Sequence, residues 1–121
     1  MNTNTTRSYK DLVVWQKGIV LAKLIYQLTK NFPPQEKFGL VAQMRRAAVS
    51  IPSNIAEGQG RGTPAEFIRF LRIANGSRQE VETQTMLSQT LEFTTREETQ
   101  PVLALCQEIG RLIFGVIRSL E

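Results

Sequence analysis

The sequence predicts an all-α fold, an antiparallel up-down four-helix bundle. Three observations carry that expectation. Apolar residues recur at steps of three and four along four separate stretches, and no stretch alternates with the period of a strand. Helix-start signals, Thr63-Pro64-Ala65-Glu66 and Thr95-Arg96-Glu97-Glu98, stand before two of the four. The connections between stretches are short, as antiparallel neighbours require.

Residues 1–8 are polar and patternless and are expected to form a disordered tail, with the bundle domain at residues 9–121. The first helix is expected from about Asp11. Trp15, Ile19, Ala22 and Tyr26 recur at steps of four, three and four, and Val13, Val20, Leu21, Leu24, Ile25 and Leu28 fill neighbouring faces. Gln16, Lys23, Gln27 and Lys30 leave only a narrow polar strip. A helix apolar on so many sides is expected to be covered on more than one of them, which points to a subunit interface. Pro33 and Pro34 stop it.

The second helix is expected from near Gln35. Val41, Met44, Ala48, Ile51 and Ile55 form a heptad-like seam, while Gln43, Arg46, Ser50, Asn54, Glu57 and Arg61 line another face. Pro52 falls inside this register. It deletes a backbone donor and crowds the Ala48 carbonyl, so the helix is expected to kink at Pro52 without breaking. The run Glu57-Gly58-Gln59-Gly60-Arg61-Gly62 supplies the stop.

Thr63 then caps a third helix, with Pro64 in its first position and Glu66 three residues after the cap. It is expected to run to about Phe93, with Phe67, Phe70, Leu71, Ala74, Val81 and Leu91 in the core. Gly76 and Ser77, small residues in mid-helix, would allow a close helix approach. The fourth helix carries Val102, Leu105, Ile109, Leu112, Val116 and Leu120 at core spacing. Pro101 is awkward there: either the helix starts near Thr99 or its first turns are distorted.

The chain has 121 residues, one cysteine (Cys106) and no histidine. A single domain with an ordinary core is expected, without an internal disulfide and without imidazole for metal binding or nucleophile activation. No uninterrupted run of about 18 apolar residues is present, and no secretory h-region stands near Met1, so a cytoplasmic protein that does not span a membrane is expected. The formal net charge is +4. Residues 37–78 hold seven arginines and lysines against two carboxylates, and residues 79–121 hold three against seven. The middle is therefore basic and arginine-rich, and the last third acidic.

Three segments carry a family pattern: the ten residues from Tyr9 to Gly18, the thirty from Phe32 to Arg61 with their central block from Gln43 through Arg46-Ala47-Ala48-Val49-Ser50-Ile51-Pro52-Ser53-Asn54-Ile55-Ala56-Glu57-Gly58 to Arg61, and the run from Phe67 to Glu82. They closely resemble the bacterial four-helix-bundle family named for proteins encoded in intervening sequences of large-subunit ribosomal RNA genes. The resemblance extends from about Tyr9 to Leu120 and is most specific in the central block. It implies an up-down bundle that assembles as a homopentamer. It also implies a distant likeness to the accessory protein of diversity-generating retroelements, a basic pentamer that partners a reverse transcriptase and binds nucleic acid. For most members no biochemical activity is established. The sequence departs from the pattern at Pro101 and at Gly18, where many members have alanine.

No catalytic set emerges. Ser50 has no histidine or evident base beside it, and nothing fixes Glu57 and Glu66 as a working carboxylate pair. A structural role is expected for Arg46, Ser50, Asn54 and Glu57, as a polar network in which Ser50 bonds back to a carbonyl one turn earlier and Arg46 pairs with Glu57. Cys106 reads as a small buried hydrophobe. Trp15 and Phe67 read as core or interface residues. Neither a metal site nor a cofactor is expected.

Arg45, Arg46, Arg61, Arg69, Arg72 and Arg78 are the candidate nucleic-acid-binding residues. Arg69, Arg72, Gly76 and Gln79 share one face of the third helix. Guanidinium groups suit phosphate, and repetition around an oligomer multiplies a modest patch. The expected function is a non-enzymatic homo-oligomer that binds RNA or DNA backbone, as an adaptor for a reverse transcriptase or another nucleic-acid enzyme. The alternative is a structural or protein-interaction module in which the arginines pair with glutamates, as Arg78 could with Glu82.

Overall fold

The structure is a computed structural model that describes residues 8–121. The expected tail at residues 1–8 therefore lies, but for Ser8, outside the described residues. Four α-helices follow in order: α1 (Val13–Thr29), α2 (Leu40–Gly60), α3 (Pro64–Thr90) and α4 (Arg96–Leu120). Short 3₁₀ turns at Tyr9–Asp11 and Pro34–Glu36 lead into α1 and α2. α1 and α3 each pack against both α2 and α4, so the four close into a bundle around one core. Neighbours run in opposite senses. Met44 meets Ser88 and Ser50 meets Ser77 across α2 and α3, and Gln89 meets Thr99 and Glu82 meets Gln107 across α3 and α4.

The expected seam of α2 is the centre of the core: Val41, Met44, Ala48, Ile51 and Ile55 are all buried. α2 itself starts at Leu40, five residues after the expected start, because the chain leaves Pro33 through a 3₁₀ turn and Gly39 takes the N-cap position. It stays helical through Pro52, which is buried.

The core stripe of α1 differs from the expected one. Val14, Gly18, Leu21, Ile25 and Thr29 face inward, whereas Ile19 and Tyr26 are exposed and Trp15 and Ala22 half-buried. Where nearly every position is apolar, periodicity identifies the helix but not its phase. The core stripe of α4 is shifted likewise. Val102, Cys106, Ile109, Ile113 and Ile117 are buried, and Leu105, Leu112, Val116 and Leu120 flank them.

The start of α3 matches the sequence signal: Thr63 accepts a hydrogen bond from the Glu66 backbone N–H at 3.2 Å. Its end comes at Thr90, before the expected Phe93. Phe93 N–H donates to the Ser88 carbonyl and Glu92 N–H to the Gln89 carbonyl, with Glu92 at φ 64°, a Schellman stop. Phe70, Leu71, Ala74 and Val81 are buried as expected and Phe67 partly so, but Leu91 is exposed. Ser77, Thr85 and Ser88 complete the buried face of α3.

α4 begins at Arg96, ahead of Thr99, with the full capping box. The Thr95 hydroxyl accepts from the Glu98 N–H, and the Glu98 carboxylate accepts from the Thr95 N–H, both at 3.1 Å. Pro101 sits in the second turn on the exposed side, where water can satisfy the carbonyl its missing N–H leaves open. By length and mean hydropathy α4 is apolar enough to cross a membrane, although charged and polar residues interrupt its apolar run. In the bundle its apolar stripe is buried against α1 and α3.

Candidate nucleic-acid interface

The polar row of α2 divides into a half-buried part and an exposed part. The Ser50 hydroxyl bonds back to the Ala47 carbonyl at 2.9 Å, as expected, and also meets the Ser77 hydroxyl of α3 in a short hydrogen bond. The Asn54 amide donates to the Ser50 carbonyl at 2.8 Å. Ser50 and Asn54 thus tie α2 to itself and to α3 at the turns that flank Pro52. Arg46 and Glu57 do not join them. Both are exposed, and Glu57 pairs with Arg61 at 3.0 Å, one turn ahead and within reach, whereas Arg46 lies three turns back.

Four of the six candidate arginines have partners inside the chain. Arg45 closes the end of α1: Nε donates to Thr29 Oγ1 at 3.0 Å, Nη2 lies 3.4 Å from the Tyr26 carbonyl, and the guanidinium stacks 4.5 Å above the Tyr26 ring. A cation on the last carbonyls of a helix satisfies orphan acceptors and the helix dipole together. Arg61 and Arg69 both approach the Phe70 ring, at 5.1 and 4.5 Å. Arg69 also binds Glu66 through two hydrogen bonds, and these hold the Glu66 carboxyl below its ordinary pKa. Arg78 is the least exposed of the charged pairs' arginines, with a side chain 11% exposed. It donates to Asn75 Oδ1 at 2.8 Å and to the Cys106 carbonyl at 3.5 Å, and it lies 3.7 Å from Glu82.

Arg46 and Arg72 are exposed and have no ion-pair partner among the described residues. The expected common face of α3 is real in the sense that Arg69, Arg72, Gly76 and Gln79 are all exposed. Gly76 permits no close approach, since a Cβ there would meet nothing within 4 Å. The residue that meets α2 is Ser77.

Two basic residues outside the expected set complete the picture. Arg111 and Arg118 of α4 line a groove of about 470 Å³ with Arg78, Gln107, Gly110 and Phe114. Gln107, Arg111, Phe114 and Arg118 follow one another at steps of four, three and four, so the stripe is written in the sequence. The net acidity of the last third concealed it, because Glu97, Glu98 and Glu108 all precede Arg111.

A family model of the 23S rRNA-intervening sequence protein matches residues 10–115, nearly the whole described bundle. The chain belongs to the 23S rRNA-intervening sequence protein family. A crystal structure of a protein of unknown function from the S23 ribosomal protein family of Bacteroides thetaiotaomicron VPI-5482 superposes with a TM-score of 0.78 at 30% identity, covering 88% of this chain and 99% of that one. No curated protein matches the chain.

In this intervening sequence protein the side chains weighed as a nucleophile or carboxylate pair are engaged elsewhere. The Ser50 hydroxyl faces Ala47 and Ser77, neither of which is a base. Glu57 and Glu66 are each bound to an arginine of their own rather than to one another. The Cys106 thiol is buried, and burial, reinforced by Glu82 and opposed by Arg78, pushes it up to about 12. Arg78 is the basic neighbour the sequence did not disclose, and it does not offset burial. Among the described residues no three His, Cys, Asp or Glu side chains gather in a metal-binding group. What the surface does offer is fixed positive charge. Guanidinium groups free of carboxylates hold phosphate by bidentate hydrogen bonds and release counterions when they do so.

Proposed function

We propose that this 23S rRNA-intervening sequence protein is a soluble, cytoplasmic, non-enzymatic homo-oligomer that binds RNA or DNA backbone through exposed arginines and serves as an adaptor for a nucleic-acid enzyme such as a reverse transcriptase. The observation that carries the reading is that Arg46, Arg72, Arg111 and Arg118 are exposed with no ion-pair partner among the described residues. Arg45, Arg61, Arg69 and Arg78 serve the fold first. Phosphate contacts of this kind position a nucleic acid without reading its sequence. The direct test is a salt titration of binding to labelled RNA and DNA. Affinity should fall linearly with salt on logarithmic axes, and no binding below about 50 mM salt rejects the reading, because the electrostatic contribution is largest there.

A second reading, a protein-interaction or structural module, draws support from Val13, Ile19, Val20 and Tyr26, large apolar side chains of α1 that remain 45–53% exposed. Purified protein free of nucleic acid by its 260/280 nm absorbance ratio, and accompanied by one partner protein, would favour it.

A further inference from the structure

We propose that the α3–α4 groove is a binding site for single-stranded nucleic acid, in which Arg111 and Arg118 hold backbone phosphate and Phe114 stacks an unpaired base. The inference rests on the nucleic-acid reading above and deepens it, since it names the site and the form of the ligand. Three features of the groove point the same way.

The first is the order of side chains along α4. Phe114 lies between Arg111 and Arg118 on one stripe, and the residue is 39% exposed. Aromatic faces interleaved with cations are the arrangement that binds single strands, because every base offers a π-face whatever its identity. A duplex keeps its bases stacked and presents only phosphate to such a surface.

The second is the floor. Arg78 lies against Gly110 of α4: a Cβ there would stand 2.9 Å from the guanidinium carbon, so the glycine lets the group rest on the helix without shifting. Asn75 and the Cys106 carbonyl engage Nε and Nη1 and fix the plane of the group. Glu82 also approaches Nη1, so the Nη2 donors have no protein partner among the described residues. A third guanidinium is therefore held at the base of the groove with hydrogen-bonding capacity to spare.

The third is size and charge. The volume of about 470 Å³ falls within the range of ligand sites, and three guanidinium groups line the groove against one nearby carboxylate, Glu82, which sits at the edge where Arg78 and Gln107 meet it. Gln107, at the same edge, supplies an amide for a base, although its Nε2 is engaged with Glu82 Oε2 at 2.7 Å.

The test is fluorescence anisotropy of the full chain at about 50 mM salt with labelled RNA and DNA single strands of about twelve nucleotides and with the matching duplexes. The Phe114→Leu variant should bind single strands at least about fivefold more weakly and duplexes as the wild type does, and Phe114→Tyr should restore single-strand binding. Arg111→Gln combined with Arg118→Gln should reduce the steepness of the logarithmic salt dependence by about 1.4, the contribution of two phosphates on a single strand. All three side chains are exposed, so circular dichroism should show the bundle intact. If single strands bind the wild type and these variants alike, the groove is not the site, while the broader nucleic-acid reading stands. Equal weakening of duplex and single strand by Phe114→Leu overturns base stacking. Failure of the wild type to bind any of the probes removes the groove and the broader reading together.

Discussion

Gly18 of α1 lies against the ring of Pro52 in α2, and a Cβ at Gly18 would stand 3.3 Å from both Cβ and Cδ of the proline. Both residues are buried. The proline that deletes a hydrogen bond from α2 is thus also the surface on which α1 seats, and the glycine leaves room for its ring. An alanine at this position is tight by a few tenths of an ångström but gains up to about 1 kcal/mol of helix propensity. Gly18→Ala is therefore expected to change stability by less than about 1 kcal/mol, and Gly18→Leu to lose about 1–3 kcal/mol through overpacking. Urea unfolding of the two variants measures the difference; equal stability of both would mean that α1 moves freely away from Pro52.

Gly58 and Gly76 make an opposed pair. A Cβ at Gly58 would come within 2.5 Å of the Phe70 Cβ, an atom next to the backbone that cannot swing aside. Gly58→Ala should cost about 1–3 kcal/mol. At Gly76, exposed and mid-helix, Gly76→Ala should stabilise by up to about 1 kcal/mol. Chemical denaturation that finds the same sign for both substitutions contradicts this account of the α2–α3 contact.

The capping box of α4 gives a pH dependence with a definite sign. Hydrogen bonds from the Thr94 hydroxyl and the Thr95 backbone hold the Glu98 carboxyl below its ordinary 4.5. A depressed folded-state pKa contributes stability above the unfolded value and loses it as pH falls through the folded one. The deficit of Glu98→Gln against wild type should therefore be full at neutral pH and shrink below about pH 4.5. Thr95→Ala should cost about 1 kcal/mol at neutral pH through the lost cap. Thermal midpoints recorded from pH 7 down to about pH 3 compare the curves; a gap that widens on acidification would reverse the assignment.

Much of this fold is legible in the sequence, and the misreadings have physical causes. α2 reveals its core because only one of its faces is continuously apolar. α1 conceals its phase because polar positions are too few to mark an outside. α3 conceals three of its seven buried positions in Ser77, Thr85 and Ser88. A small hydroxyl can enter a helix interface by bonding within its own helix, as Ser88 does to the Gln84 carbonyl at 2.8 Å, and hydropathy registers it as surface. The candidate site was harder to read. Whether an arginine is free depends on partners far along the chain, such as Thr29 for Arg45 and Cys106 for Arg78, and no local pattern encodes them. The stripe Arg111, Phe114, Arg118 was readable by spacing but was averaged away in a segment charge count.

The buried thiol provides a clean report on global opening. Cys106 is fully buried, with its pKa pushed up to about 12 from an ordinary 9.0. In the folded state it remains a neutral thiol and a poor nucleophile. Modification by an aromatic disulfide at pH 8 should therefore be negligible in the native protein and complete in denaturant, with the native rate set by unfolding. Above pH 9 the unfolded thiol ionises while the folded one does not, so this group's contribution to stability falls as pH rises through that window. Rapid labelling of the native protein would show that the α3–α4 interface opens locally.

The outer side of α1 carries the last prediction. Val13, Ile19, Val20 and Tyr26 are 53%, 45%, 48% and 46% exposed, on a helix whose other side already supplies Val14, Leu21 and Ile25 to the core. Helical spacing sets Val13 and Val20 on one flank and Ile19 and Tyr26 on the other, with the exposed strip of Gln16, Lys23, Gln27 and Lys30 between them. A homo-oligomer that contacts both flanks removes this apolar surface from water. Each such side chain is already about half covered and gains roughly 1 kcal/mol when the rest is buried, whereas a carboxylate buried on the same flank costs more than that, so it should dominate the assembly equilibrium. Val20→Glu is the informative substitution, because Val20 is exposed in the single chain and its loss leaves the bundle core untouched. Light scattering at micromolar concentration should find an oligomer for the wild type and a folded 13.7 kDa monomer for the variant. A wild-type monomer would leave the apolar face to a different protein and move the weight toward the interaction-module reading. An oligomer that survives Val20→Glu would place the subunit contact on another face of the bundle.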